Sequence, residues 1–160
     1  MLRSDIFLST VDGKYSLKEV FKGKRAVFFG VPDMGKVCSE KHAPAYLALA
    51  DKMHDMGVER IYCIAVSDPE TVKAWADKKG LTGTKVQVLA DKSGAFARML
   101  GLDVNEPDCD GPRSLRYMGV VDNGILLKLK VETNIGEVKV TSADCVLELL
   151  QKMKELNTWN

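Results

Sequence analysis

No apolar run in this 160-residue chain approaches the roughly 18 residues that a membrane-spanning helix needs, which argues against a membrane protein. No basic stripe stands out either. With 23 Lys and Arg against 22 Asp and Glu the net charge is only +1, so nucleic acid is a poor partner. The opening residues MLRSDIFLST lack the long apolar core of a secretory signal, although an import peptide already removed from a mature chain, mitochondrial or of another organelle, would leave no trace. Cysteine is sparse: Cys38, Cys63, Cys109 and Cys145 stand 25, 46 and 36 positions apart. There is no C-x-x-C and no paired metal-ligand spacing, which removes the common zinc sites. A disulfide-stapled small domain does not suit this length and apolar content. The expectation is reduced thiols in a cytoplasmic protein, one of them reactive.

What is present suits one globular domain over residues 1–160. The chain is 46% apolar and 28% charged, and no repeat, low-complexity tract or linker interrupts it. DIFLST reads as a short strand and SLKEVF as a short helix, with Ser16 and Glu19 in capping-box spacing. RAVFFG, RIYCIAV and KVQVLA read as strands, the first two apolar enough to be buried on both faces. From Ser39 onward Ala43, Tyr46, Leu47, Ala50 and Met53 share one helical face, and Gly57 stops that helix. SDPETVKAWADKKG predicts a helix with Asp68 as N-cap, Pro69 in the first turn and Gly80 as the stop. SGAFARMLG predicts a short helix. YMGVVDNGILLKLKV predicts a hairpin around Asn123-Gly124, and SADCVLELLQKMKEL an amphipathic closing helix. Strands alternate with helices early and pair antiparallel late. That pattern implies an α/β fold, a mixed central sheet with helices on both faces, as in a thioredoxin-like fold.

The stretch RAVFFGVPDMGKVCSEKH, Arg25 to His42, supports two chemistries. Gly30 to Lys36 has the G-x-x-x-x-G-K spacing of a phosphate-binding loop between a strand and a helix, and Asp68 ends a later strand where a magnesium-holding acid can sit. Against a nucleotide site, Val37 replaces the Ser or Thr that would ligate magnesium, and Pro32 removes a backbone donor. The other chemistry is that of Cys38. At the first turn of the predicted helix its sulfur meets free N–H groups and the positive end of the helix dipole, which favour thiolate. Its neighbours Lys36, Ser39, Glu40 and Lys41 are polar, which suits reactivity better than burial.

At these residues the chain resembles the type II (atypical, fifth-class) peroxiredoxins, whose active-site motif reads G-V-P-G-A-F-T-P-T-C-S-x-x-H-x-P-G-F. Gly30, Val31, Pro32, Cys38, Ser39, His42 and Pro44 match it in type. SDPETVKAW, ADKSGAFARMLGL, GPRSLRYMGVVDNG and VTSADCVLELL are similar to further family segments, in the family order. The resemblance implies a thioredoxin-like fold and a thiol peroxidase that reduces hydrogen peroxide and alkyl hydroperoxides, with no metal and no organic cofactor. It implies Cys38 as peroxidatic cysteine, attacking the distal peroxide oxygen and becoming a sulfenic acid. Arg116 would stabilise thiolate and peroxide, with Arg113 as the nearby alternative, and Pro32 would shield the pocket. The resemblance further implies a homodimer recycled by glutathione with glutaredoxin or by thioredoxin. Cys63, 25 residues after Cys38, stands where plant members carry a resolving cysteine; as a strand residue in IYCIAV it reads equally as buried. Other members resolve through a late cysteine, a position held here by Val140.

The match departs from the family before the cysteine. The motif threonine three residues upstream is replaced by Gly35, and the loop from Pro32 to Cys38 is one residue shorter. Losing a hydroxyl bond to a charged group costs about 1.5–3 kcal/mol, roughly one to two decades of rate. A carboxylate at Asp33 near the sulfur would raise the thiol pKa, and Lys36 would lower it. Ser39 and the Gly35 N–H are the candidate replacement donors toward substrate. The expectation is a slowed peroxidase; the alternative is a peroxiredoxin-like redox sensor or binding protein with little turnover. His42 reads either as a partner of Cys38 or as a structural hydrogen-bonding residue. His54 reads as solvated, Trp75, Phe96 and Leu100 as core, Cys145 as packed and Cys109 as exposed. Glu70, where the family carries Phe, alters whatever that position packs against.

Overall fold

The architecture follows from which strands are apolar on both faces. The computed structural model describes residues 5–32, 41–104, 113–134 and 136–159. The chain opens with β1 (Phe7–Thr10), β2 (Gly13–Ser16) and α1 (Leu17–Phe21), then β3 (Arg25–Val31). There follow α2 (Ala43–Ala48), α3 (Ala50–Asp55), β4 (Arg60–Ala65), α4 (Pro69–Lys78) and β5 (Val86–Ala90). A 3₁₀ turn at Lys92–Gly94 leads into α5 (Ala95–Met99) and the two-residue strands β6 (Asp103–Val104) and β7 (Arg113–Ser114). β8 (Tyr117–Asp122), β9 (Ile125–Val131) and α6 (Ala143–Glu155) complete it.

Seven strands form one mixed sheet in the order β2-β1-β5-β4-β3-β8-β9. β3, β4 and β5 are parallel, while β8 runs antiparallel to β3 and to β9. Alternate residues of β3 serve two cores, as expected for a strand covered on both sides. Val27, Phe29 and Val31 join Cys63, Met118 and Val120 under α2, α3, α4 and α6. Ala26 and Phe28 join Tyr62, Ile64, Leu89 and Tyr117 under α1 and α5. Helices therefore cover both faces, as the sequence pattern implies. Among the described residues no helix is long and apolar enough to cross a membrane.

Local signals act where they stand. Glu19 N–H donates to Ser16 Oγ at 3.2 Å and Ser16 N–H to Glu19 Oε1 at 3.4 Å, completing the capping box. The Asp68 carboxylate accepts from Thr71 N–H at 2.9 Å and caps α4, so its role here is structural. Asn123 and Gly124, at φ 50° and 79°, make the tight β8–β9 turn. The β1–β2 hairpin and the β6–β7 pair lie outside the sequence expectation. The single helix expected up to Gly57 is divided at Leu49, where φ and ψ are −102° and 9°. Gly30, first residue of the suspected phosphate loop, is a strand residue paired with Tyr117. A Cβ there would lie 2.0 Å from the Tyr117 ring, so close packing accounts for this glycine without a phosphate.

Candidate active site

The β3–β8 register, which ends at Gly30 opposite Tyr117, sets the end of β3 beside the start of β8. Pro32 follows β3 and is buried. Arg116 immediately precedes β8 and is only 2% exposed. A buried guanidinium needs acceptors, because its desolvation is otherwise costly. One is His42: Arg116 Nη1 donates to His42 Nδ1 at 2.8 Å. The other ring nitrogen, Nε2, donates to the Thr141 carbonyl at 3.1 Å. This pairing fixes the neutral tautomer with its proton on Nε2. Burial first, and the adjacent Arg116 charge second, lower the His42 pKa from 6.5 to about 3, while the bond to Thr141 pulls weakly the other way.

The imidazole is clamped by aromatics. Phe29 and Tyr46 stack at 3.9 Å, and His42 lies 4.8 Å from the Phe29 ring centre. Tyr46 Oη also donates to the Thr141 carbonyl, at 2.6 Å, and burial raises its pKa well above the usual phenol value. Thr141 is held in turn by Glu132, a residue 4% exposed, whose Oε2 accepts from Thr141 N–H at 2.8 Å and Thr141 Oγ1–H at 2.7 Å. The result is a buried cation aimed by a neutral imidazole, which is four residues after Cys38 in sequence. Among the described residues no group of three or more His, Cys, Asp or Glu could hold a metal ion. A groove of about 480 Å³, lined by Val11, Tyr15, Tyr62 and Leu89 among others, lies on the β1–β5 side of the sheet and includes none of these residues.

A family model described as Redoxin matches residues 7–147. The mitochondrial Peroxiredoxin-2F of Arabidopsis thaliana is 35% identical over 142 residues, spanning 86% of this chain and 70% of that protein. Peroxiredoxin-2B of the same plant is 35% identical over 137 residues, 84% and 83% of the two chains. The solved structure of reduced Prx3 from Vibrio vulnificus superposes with a TM-score of 0.86 at 31% identity, covering 94% of this chain and 99% of that one.

The chain belongs to the type II peroxiredoxins.

It is a thiol-dependent peroxidase of the thioredoxin-like superfamily. In this peroxiredoxin Cys38, Gly35 and Ser39 lie outside the described residues, as do Cys109 and most of the glycine-lysine motif. Of the two candidate arginines, Arg116 is buried against His42, whereas Arg113 is half-buried in β7. Cys63 is fully buried on β4, between Phe29 and Val88, on the sheet face that carries α2. Cys145 is half-buried in the first turn of α6, its thiol donating to the Lys139 carbonyl at 2.7 Å. Trp75 and Phe96 are core, Leu100 is partly buried, and His54 and Glu70 are exposed. His42 takes the hydrogen-bonding role that its sequence position allows, with Arg116 as partner. Tyr46, Thr141 and Glu132 escaped sequence reasoning as site residues. The one signal was an acid, Glu132, directly after a β-strand and ahead of a segment rich in polar residues.

Proposed function

We propose that Cys38 is the peroxidatic cysteine and that Arg116 is the group that stabilises both its thiolate and the departing oxygen. The Cys38 thiolate attacks the distal oxygen of hydrogen peroxide or an alkyl hydroperoxide. The S–O bond forms as the O–O bond breaks, leaving a sulfenic acid on sulfur and releasing hydroxide or alkoxide, which takes up a proton as water or alcohol. Negative charge moves from sulfur to the leaving oxygen during this step, and a guanidinium already fixed in place stabilises it without reorganisation. The observation that supports this reading is the burial of Arg116 with Nη1 committed to a neutral His42, four residues beyond Cys38 in the chain. Pro32, buried between β3 and the Cys38 loop in sequence, is proposed to shield sulfur from water. Gly35 N–H and Ser39 are proposed as substrate donors in place of the missing threonine.

The sulfenic acid condenses with a second thiol to a disulfide and water, and a further thiol reduces that disulfide. Glutathione with glutaredoxin, or thioredoxin, is the proposed reductant, acting on a cytoplasmic homodimer of this single domain. Cys63 as resolving thiol is kept as a branch of the proposal. Its complete burial means that a Cys38–Cys63 bond needs a local unfolding that exposes the Cys63 sulfur. The test is rapid mixing of reduced protein with hydrogen peroxide, beside Cys38→Ser and Arg116→Ala, with intact mass to count added oxygens or disulfides. Fast stoichiometric oxidation should vanish in Cys38→Ser and slow by tenfold or more in Arg116→Ala. A wild-type rate equal to that of a free thiol at the same pH would leave the protein as a redox sensor or binding partner.

A further inference from the structure

The hydrogen bonds around Arg116 close into a ring. Its side chain reaches Thr141 through His42. Thr141 N–H and Oγ1–H both donate to Glu132 Oε2. Glu132 N–H then donates to the Arg116 carbonyl at 2.9 Å. Glu132 thus holds Arg116 at both ends, the backbone directly and the guanidinium through two intermediates. Its place directly after β9 makes this possible, because Tyr117 and Val131 are register partners and Arg116 and Glu132 are the next residues along each strand.

The carboxylate has a specific task in this ring. The acceptor that orients His42 is a backbone carbonyl on the connection between β9 and α6, and not a residue of a strand or helix. Such a carbonyl is only as well placed as its own peptide. Glu132 Oε2 gathers Thr141 N–H, Thr141 Oγ1–H and, at 2.8 Å, Lys139 N–H, drawing the connection onto the end of β9. Take the carboxylate away and three donors lose their acceptor, with Thr141 fully buried.

We propose that Glu132 is a positioning residue for the peroxidase reaction, setting through Thr141 and His42 the direction in which Arg116 presents its guanidinium. This rests on the role given above to Arg116. Glu132 touches neither sulfur nor peroxide in this scheme. Its effect reaches the reaction only through Arg116.

The experiment measures the second-order rate with hydrogen peroxide and the pKa of Cys38, from the pH dependence of its alkylation, in Glu132→Ala, Glu132→Gln, Arg116→Ala and the double variant Glu132→Ala/Arg116→Ala. Near-ultraviolet circular dichroism establishes that each is folded. Glu132→Ala should lower the rate by about tenfold or more, the scale of a displaced catalytic group, and raise the Cys38 pKa. Glu132→Gln can place its amide oxygen at the same point and should recover most of the loss. In the Arg116→Ala background the alanine at position 132 should cost nothing further. A folded Glu132→Ala with unchanged rate and unchanged thiol pKa overturns the proposal, and so does an equal loss with or without Arg116. If Glu132→Ala does not fold, Glu132→Asp, which withdraws the carboxylate by one methylene, is judged by the same criteria. Should Arg116→Ala itself leave the rate intact, the reading of Arg116 falls as well. That result is distinct from one in which Arg116 matters and Glu132 does not.

Discussion

Lowering the pH from about 7 to 5 tests the His42 contact through folding stability. In the folded protein His42 is fully buried beside the Arg116 charge, and its pKa is about 3. In the unfolded chain it returns to about 6.5. Between those values the unfolded state binds the proton that the folded state refuses, so stability is complete above pH 6.5 and falls as the pH drops toward 3. At pH 5 the unfolded histidine is almost wholly protonated. The difference in proton binding, about 1.5 pH units at 1.36 kcal/mol each, costs the fold about 2 kcal/mol. By pH 3 the cost would approach about 5 kcal/mol, but carboxylates titrate there too, which is why the upper window is the informative one. Asp91 works in the opposite sense: burial raises its pKa, so its protonation on acidification relieves a strain present at neutral pH.

The assay is urea unfolding of the reduced protein at several pH values across that window, in wild type and His42→Gln, both carrying His54→Asn. The glutamine does not titrate, while Asp91 and the remaining carboxylates are common to both proteins. Wild type should lose about 2 kcal/mol more than His42→Gln between pH 7 and 5, with unchanged m-values. Parallel stability curves would refute the reasoning, for they would mean that His42 takes up its proton in the folded state at an ordinary pKa. The same logic applies to rate. Because His42 stays neutral in the folded protein down to about pH 3, its titration should leave no step in the peroxide rate between pH 7 and 5.

Two further outcomes follow from particular positions. Gly30→Ala forces a Cβ to within 2.0 Å of the Tyr117 ring and should destabilise by about 1–3 kcal/mol, read as a fall of roughly 2–12 °C in the thermal midpoint; an unchanged midpoint would show that the ring moves aside freely. Gly35→Thr returns the hydroxyl that the family motif carries and should raise the peroxide rate by roughly one to two decades, measured by rapid mixing. No gain would mean that the shortened loop either presents that side chain elsewhere or already supplies the donor from its backbone.

The parts of the fold that were legible in the sequence are those set by neighbours along the chain. Asp68 and Pro69 start α4, Asn123-Gly124 turns β8 into β9, and the unbroken apolar run of RAVFFG marks a strand covered on both faces. The cysteine of the motif, by contrast, lies outside the described residues, so its place rests on the sequence alone. The frame around Arg116 is of another kind. His42 meets Thr141 across 99 positions and Arg116 across 74, and no period or spacing connects them. Each partner also looks ordinary in isolation: a histidine near a helix start, a threonine before a cap, a glutamate after a strand. Gly30 shows the same limit from the other side. Its local context, a strand followed by G-x-x-x-x-G-K, supports a phosphate loop as well as it supports a strand end. Only the ring of Tyr117, 87 positions away, decides that the missing side chain makes room for packing. Pairing register is what brings these residues together, and register is a property of the whole sheet. With Cys38 as the proposed nucleophile and Arg116 as its proposed electrostatic partner, such a site can keep its motif and lose its rate. If Glu132 positions Arg116 as proposed, substitutions at Glu132 and Thr141 should lower the peroxide rate as surely as those around Cys38.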